Sequence, residues 1–251
     1  METDSRVKAT VIDTHAHLNE IEAISKALQR AKDSGISGII AVGMEVASNC
    51  RTLDLAAGFP EFVYPAIGYH PWSITPATID ENLEFVEANL AGCIALGEVG
   101  LDYKAKAKKK IQWEVFSKLL SMAKRHHRPV IVHSRFSHSR SHQMVLNEGI
   151  EKAVFHWYSG PLETLEKITT DGYFVSATPA LVYSSPHQQA MKTAPIERIL
   201  VETDSPVEYQ GKISEPAQLT TTLKELSRIK EMDTEEVRLI TTENAKRFFG
   251  I

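Results

Sequence analysis

Thr10-Val-Ile-Asp13-Thr-His15-Ala-His17 begins as a short β-branched, apolar run and ends in a carboxylate and two imidazoles. That form, a few apolar residues followed by turn and polar residues, recurs along the chain. After Thr10–Ile12, similar runs stand at Gly38–Val42, Phe62–Ile67, Cys93–Leu96, Pro129–Val132, Lys152–Phe155, Tyr173–Val175 and Arg198–Val201, eight in all. Their starts lie roughly 20–35 residues apart, the length of one βα unit. Eight such units predict parallel strands, and a closed (β/α)8 TIM barrel takes that number naturally. A doubly wound open sheet is the alternative, but the Gly-x-Gly-x-x-Gly of a dinucleotide binder is missing from the first turn.

Helical spacing fills the intervals. Ile21, Ile24, Leu28 and Ala31 recur every three to four residues, with Gly35 where a C-terminal cap belongs. Leu83, Val86 and Leu90 precede Gly92; Trp113, Phe116, Leu120 and Ala123 precede the fifth run; Leu162, Leu165 and Ile168 end near Gly172. Two helices follow the eighth run, one on Leu219, Leu223, Leu226 and Ile229. The other is opened by Asp233 with Glu236 and continues through Val237, Ile240 and Phe248. With no linker or low-complexity tract, residues 1–251 read as one α/β domain.

Composition narrows the functional classes. Apolar residues are 43% and charged residues 24% of the 251, the balance of a soluble chain with a real core. Thirty-two acids against twenty-eight bases give a net charge of −4, so a nucleic-acid partner needs a local basic patch. Cys50 and Cys93 are the only cysteines, which excludes a disulfide scaffold and a CxxC zinc pattern. Met1–Thr10 lacks the apolar stretch of a signal peptide, and no apolar run is long enough to span a membrane. The expected setting is the cytoplasm.

In a barrel the chemistry gathers at the C-terminal strand ends. Alternation along the first strand puts Asp13, His15 and His17 on one face, toward the mouth. Glu98, His133, His156 and Asp204 follow the fourth, fifth, sixth and eighth runs. Buried groups of this kind are unfavourable unless paired or metal-bound, so their convergence points to divalent ions. Four histidines and two carboxylates exceed the three protein ligands of an ordinary catalytic zinc, so two ions are expected, with Glu98 placed to bridge them. Ions ~3.5–4 Å apart clamp the attacking and leaving oxygens in phosphate-ester cleavage. Magnesium, manganese and zinc all suit such donors.

Other residues surround that centre. His70, in Gly68-Tyr-His-Pro-Trp72, stands at the mouth as a substrate contact or a structural hydrogen bonder. Arg135 is the candidate for bidentate grip on a phosphate or carboxylate. Lys104-Ala-Lys-Ala-Lys-Lys-Lys110 follows the fourth-strand motif, and its Lys108, Lys109 and Lys110 form a patch for a nucleic-acid backbone. Glu202 shares the strand face of Asp204 as a partner behind the ligands. His126 and His127 are expected at the opposite surface, His138 and His142 on one helical face, and His187 in a solvated helix start.

Asp-Thr-His-Ala-His at 13–17, Gly-Tyr-His-Pro at 68–71, Gly-Glu-Val-Gly-Leu-Asp-Tyr at 97–103, Ile-Val-His-Ser-Arg at 131–135, His156 with Ser159-Gly160, and Glu-Thr-Asp-Ser-Pro at 202–206 together resemble TatD-type metal-dependent deoxyribonucleases. The resemblance extends to Asn244. It implies a metal-dependent hydrolase barrel that cleaves phosphodiesters, typically as an exonuclease. It also implies His15, His17, Glu98 and Asp204 on one ion and Glu98, His133 and His156 on the other. The chain departs from the family pattern at Trp157 and Tyr158, where Cys-Phe is usual. Phe136 stands where an acid often does, and Lys212–Pro216 replaces a segment with Arg-Asn.

The expected reaction is metal-activated attack of water on a DNA phosphodiester, with Asp204 accepting the proton. The alternative keeps the barrel and its metals but hydrolyses an amide, lactone or ester. A non-catalytic scaffold is disfavoured, because no ligand is missing.

Overall fold

A computed structural model describes residues 10–251; Met1–Ala9, and with them most of the stretch read as lacking a signal peptide, lie outside the described residues. Eight parallel strands follow in chain order: β1 (Val11–Ala16), β2 (Ile36–Val42), β3 (Val63–Ile67), β4 (Ala95–Gly100), β5 (Val130–His133), β6 (Ala153–Phe155), β7 (Phe174–Ala177) and β8 (Ile199–Val201). The β1/β8 seam closes just above the strands. The Thr14 hydroxyl donates to Val201 O at 3.0 Å. Asp204 N donates to His15 O at 2.9 Å, and His17 N to Ser205 O at 2.7 Å. The fold is therefore a (β/α)8 barrel.

Nine helices surround it among the described residues: α1 (Ile24–Asp33), α2 (Val46–Gly58), α3 (Ile79–Asn89), α4 (Lys109–Arg125), α5 (His138–Glu148), α6 (Leu162–Thr170), α7 (Ser185–Thr193), α8 (Leu219–Lys230) and α9 (Thr234–Phe249). Gly35 and Gly172 take the left-handed conformations, φ 85° and 88°, expected just past α1 and α6. The Asp233 carboxylate caps α9 by accepting from Glu235 N and Glu236 N. Apolar spacing does not reveal α2, because its buried face is polar: Ser48, Asn49 and Thr52. That face has a structural task. Asn49 donates to Gly68 O at 2.7 Å and accepts from Gly68 N at 3.1 Å, fixing the loop that carries His70.

Two apolar layers organise the interior. Ile12, Ile40, Val42, Ala66, Ala95, Ile131, Val154, Phe174 and Leu200 form one cluster with Phe248 and Phe249 of α9. It draws on every strand and fills the barrel, with α9 closing one end. The larger cluster joins the other strand faces to the helices. His133 at the end of β5 and His156 just past β6 follow Ile131 and Val154 by two residues, as alternation requires, whereas Asp204 lies beyond the end of β8. His15 and Glu98 come three residues after Ile12 and Ala95. Register irregularities between Asp13 and Ala16, and between Leu96 and Val99, make the difference. Asp13 consequently does not join the two histidines at the mouth, which corrects the reading by alternation. Its carboxylate accepts instead from Thr203 Oγ1 at 2.6 Å and Thr203 N at 3.0 Å.

A candidate metal centre

Seven side chains from six strand ends meet in a buried cluster. Around the Glu98 carboxylate its two oxygens face different neighbours. Oε1 lies 2.6 Å from His133 Nδ1, 2.8 Å from His156 Nε2 and 3.5 Å from His70 Nε2. Oε2 lies 3.5 Å from His15 Nε2 and 3.6 Å from His17 Nε2. Those two imidazole nitrogens are 3.3 Å apart, and each is 3.4 Å from Asp204 Oδ1.

The group formed by Glu98 Oε2, His15, His17 and Asp204 fits an ion. Tetrahedral ligands at the ~2.0–2.2 Å bond lengths of zinc are separated by about 3.3–3.6 Å, which is the observed spacing. Asp204 Oδ1 is buried and has no hydrogen-bond partner among the described residues, a position normally filled by a donor or a cation. Around Glu98 Oε1 the shorter separations are those of hydrogen bonds. An ion entering there displaces imidazole protons.

Electrostatics favour positive charge beside both carboxylates. Burial opposes the Glu98 carboxylate, yet the charges of His156, His70 and His133 hold its pKa well below the ordinary value. Asp204 is likewise lowered against burial, by the neighbouring His17 imidazole and the charges of His15 and His156. His156 and His133 are raised despite burial, chiefly by the Glu98 charge. Buried carboxylates that draw protons onto their neighbours offer the same field to a metal ion.

Backbone packing sets Glu98 in place. A Cβ on Gly68 would lie 2.5 Å from Glu98 O and 2.8 Å from Glu98 N. Only glycine permits that approach. Asp204 sits at φ 51°, in the left-handed region, three residues past the end of β8. Behind the cluster, Glu202 Oε1 lies 3.3 Å from His156 Nδ1 and accepts from Trp157 N at 3.0 Å. Asp102 Oδ2 lies 3.2 Å from His133 Nε2. Carboxylates behind imidazoles orient the ring and select its tautomer. Glu202 was anticipated, whereas Asp102 was visible only as the polar residue of Gly-Leu-Asp-Tyr.

The remaining expectations separate. His70 is 1% exposed and its Nε2 faces Glu98, so it adjoins the centre instead of opening toward solvent. Arg135 is exposed, with Nη1 4.0 Å from Asp102 Oδ2. Lys108, Lys109 and Lys110 are exposed where α4 begins. Of these, Lys109 Nζ lies 4.1 Å from the centroid of the Tyr103 ring, and Lys110 Nζ 4.0 Å from Glu114. His126 pairs with Glu87 at 3.0 Å, and His127 is exposed. His142 pairs with Asp171 at 2.8 Å, while His138 packs against Tyr158.

His187 is a correction. Expected in solvent, it is fully buried, with Nδ1 2.7 Å from Tyr158 O and Nε2 accepting from Thr178 N at 3.1 Å. The imidazole thereby satisfies two buried backbone groups between α7 and the strands. Burial pushes its pKa from 6.5 down to about 4, outweighing the Tyr158 hydrogen bond. The unfolded chain therefore binds this proton more readily. The His187 contribution is complete above pH 6.5 and fades as the pH falls toward about 4, amounting to ~3 kcal/mol. His187→Gln is expected to flatten the fall of unfolding free energy between those pH values. Denaturant titrations with equal slopes in variant and parent would contradict this.

The chain matches the model of a family described as TatD related DNase over residues 12–250. It is 31% identical to a Bacillus subtilis (strain 168) protein named uncharacterized metal-dependent hydrolase YabD, over 96% of this chain and 99% of that one. It is 29% identical to a Homo sapiens protein named deoxyribonuclease TATDN3, over 95% and 94% of the two chains. The crystal structure of YJJV, a TatD homolog from Escherichia coli K12, superposes with a TM-score of 0.84 at 25% identity, covering 96% of this chain and 98% of that one.

Proposed function

The chain belongs to the TatD-related DNase family, and from that premise we propose that it is a metal-dependent phosphodiesterase that cleaves DNA exonucleolytically at a two-ion centre. The observation that carries this reading is the division of Glu98, with Oε2 turned to His15 and His17 and Oε1 to His133 and His156. His15, His17, Asp204 and Glu98 Oε2 would hold one ion, and Glu98 Oε1, His133 and His156 the other, with His70 alongside. Zinc and manganese suit the imidazoles, and the carboxylates admit magnesium. Bound divalent ions supply Lewis acidity, activating water near neutral pH and neutralising charge that builds on the phosphate.

The side chains then have distinct tasks. Asp204 accepts the proton released as water attacks phosphorus, since its charge is maintained at neutral pH. Glu202 holds His156, and Asp102 holds His133. Arg135 grips a non-reacting phosphate oxygen through its planar fork. No helix among the described residues is long and apolar enough to cross a membrane.

The lysine segment supplies the long-range attraction that a chain of net charge −4 otherwise lacks. Replacing Lys108, Lys109 and Lys110 together with Gln is expected to weaken oligonucleotide binding. Each lost phosphate contact should flatten the log–log salt dependence by ~0.7 on single strands. Unchanged affinity with an unchanged slope would return these lysines to solvent.

Parallel turnover assays test the reaction class. Chelator-treated protein, with each divalent ion added back, is offered an oligodeoxynucleotide, a simple phosphodiester and small amide and lactone substrates. Ion-dependent cleavage of the phosphodiesters is expected. Turnover confined to the amide or lactone would overturn the assignment.

A further inference from the structure

The loops after β3, β4 and β5 carry exposed aromatic side chains that bond hydrolysis alone leaves without a task. Trp72 is 58% exposed and Phe136 61%. Single apolar residues at a surface are ordinary, but these two sit on the same strand-end face, on either side of the β4 loop. Each also carries a mark of being set in place. Trp72 Nε1 donates to Asp102 Oδ2 at 2.6 Å. Its ring stands edge-on to His70, with centroids 4.8 Å apart, and lies 6.0 Å from the ring of His133. The indole is thus anchored by its polar edge, leaving an apolar face to solvent. Phe136 has φ 56°, unusual for a bulky side chain and the kind of strain that collects at ligand sites.

Two cations accompany the Phe136 ring. Arg135 Cζ is 5.6 Å and Lys104 Nζ 5.5 Å from the Phe136 ring centroid. Lys104 N donates to Asp102 Oδ1 at 2.7 Å, and Arg135 Nη1 approaches Asp102 Oδ2 at 4.0 Å. Asp102 thereby ties the indole, the arginine and the Lys104 backbone to the same point, beside His133. Aromatic faces interleaved with positive charge are the chemistry that binds an unstacked nucleic-acid strand.

We propose that Trp72 and Phe136 form a nucleobase-stacking subsite beside the metal centre, with Arg135 and Lys104 taking the adjoining phosphates. The inference rests on the nucleic-acid reading above and adds how the substrate is held. Every base has a π face, so the subsite accepts any sequence but requires a base freed from its neighbours. A frayed end or a single strand meets that requirement.

The test measures binding of a phosphorothioate single-stranded oligodeoxynucleotide and of a fully abasic strand of the same length. Both are titrated against the parent, Trp72→Ala, Trp72→Phe and Phe136→Ala. Each alanine variant is expected to weaken the base-bearing strand by ~5- to 150-fold, the range of one lost stack. Trp72→Phe should retain much of that affinity. The abasic strand should bind the parent more weakly and the three variants about equally well. Equal binding of both strands by the parent overturns the subsite, as does parent-like affinity of both alanine variants for the base-bearing strand. An equal loss for both strands in Trp72→Ala would show the indole acting only through Asp102 and His133, which overturns its stacking role; Phe136→Ala then tests the other ring separately. A parent that neither binds nor cleaves either strand overturns the nucleic-acid reading itself.

Discussion

Glu98→Gln is expected to abolish ion-dependent turnover while leaving the barrel folded. The substitution preserves the shape of a side chain that is 2% exposed, so the close approach of Gly68 to the Glu98 backbone is retained. It removes the negative charge and replaces one oxygen with an amide nitrogen that cannot ligate a cation. Because the two oxygens face two separate histidine groups, one substitution disturbs both ends of the centre. The loss should exceed the ~10–100-fold typical when only a partner behind a ligand is changed. His15→Ala is expected to act in the same direction from the other side of the cluster. Circular dichroism and turnover, measured together, check both. Parent-like activity in a folded Glu98→Gln protein would remove the bridging role.

Asp204→Asn should keep part of the metal affinity and lose ~10²–10⁴-fold in rate, the usual contribution of a positioned proton acceptor. The backbone makes this a clean comparison. Asp204 stands at φ 51°, a conformation that asparagine tolerates as readily as aspartate. The fold therefore has no reason to respond, and the amide cannot accept the proton. Single-turnover measurements separate the chemical step from binding. A rate within a few-fold of the parent would exclude Asp204 as the acceptor.

Much of this centre was legible because barrels display chemistry where apolar runs end. His133 and His156 needed only the two-residue period, counted from Ile131 and Val154, and Asp204 its place after the eighth apolar run. His15 and Glu98 were found by their residue types and motifs, although the irregularities in β1 and β4 break that period. The same irregularity misled the reading of Asp13, whose carboxylate turns to Thr203. Helix α2 was missed because its buried residues are polar, and its hydrogen bonds to Gly68 span nineteen positions of chain. His187 looked like a surface residue because only the folded chain brings Tyr158 O and Thr178 N to its two ring nitrogens. Asp102 gave no periodic signal, since its importance lies in contacts from three different loops. Local pattern identified the groups that face the mouth, whereas the groups that hold them emerged from tertiary packing.

The central claim is that two ions at the Glu98 cluster enable phosphodiester cleavage. Chelator-stripped protein should be titrated with manganese while bound metal per chain and oligodeoxynucleotide cleavage are measured on the same samples. We expect two ions per chain at saturation, with cleavage absent from the stripped protein and restored as the second site fills. Full cleavage by the stripped protein, or no cleavage with both sites occupied, would contradict the assignment.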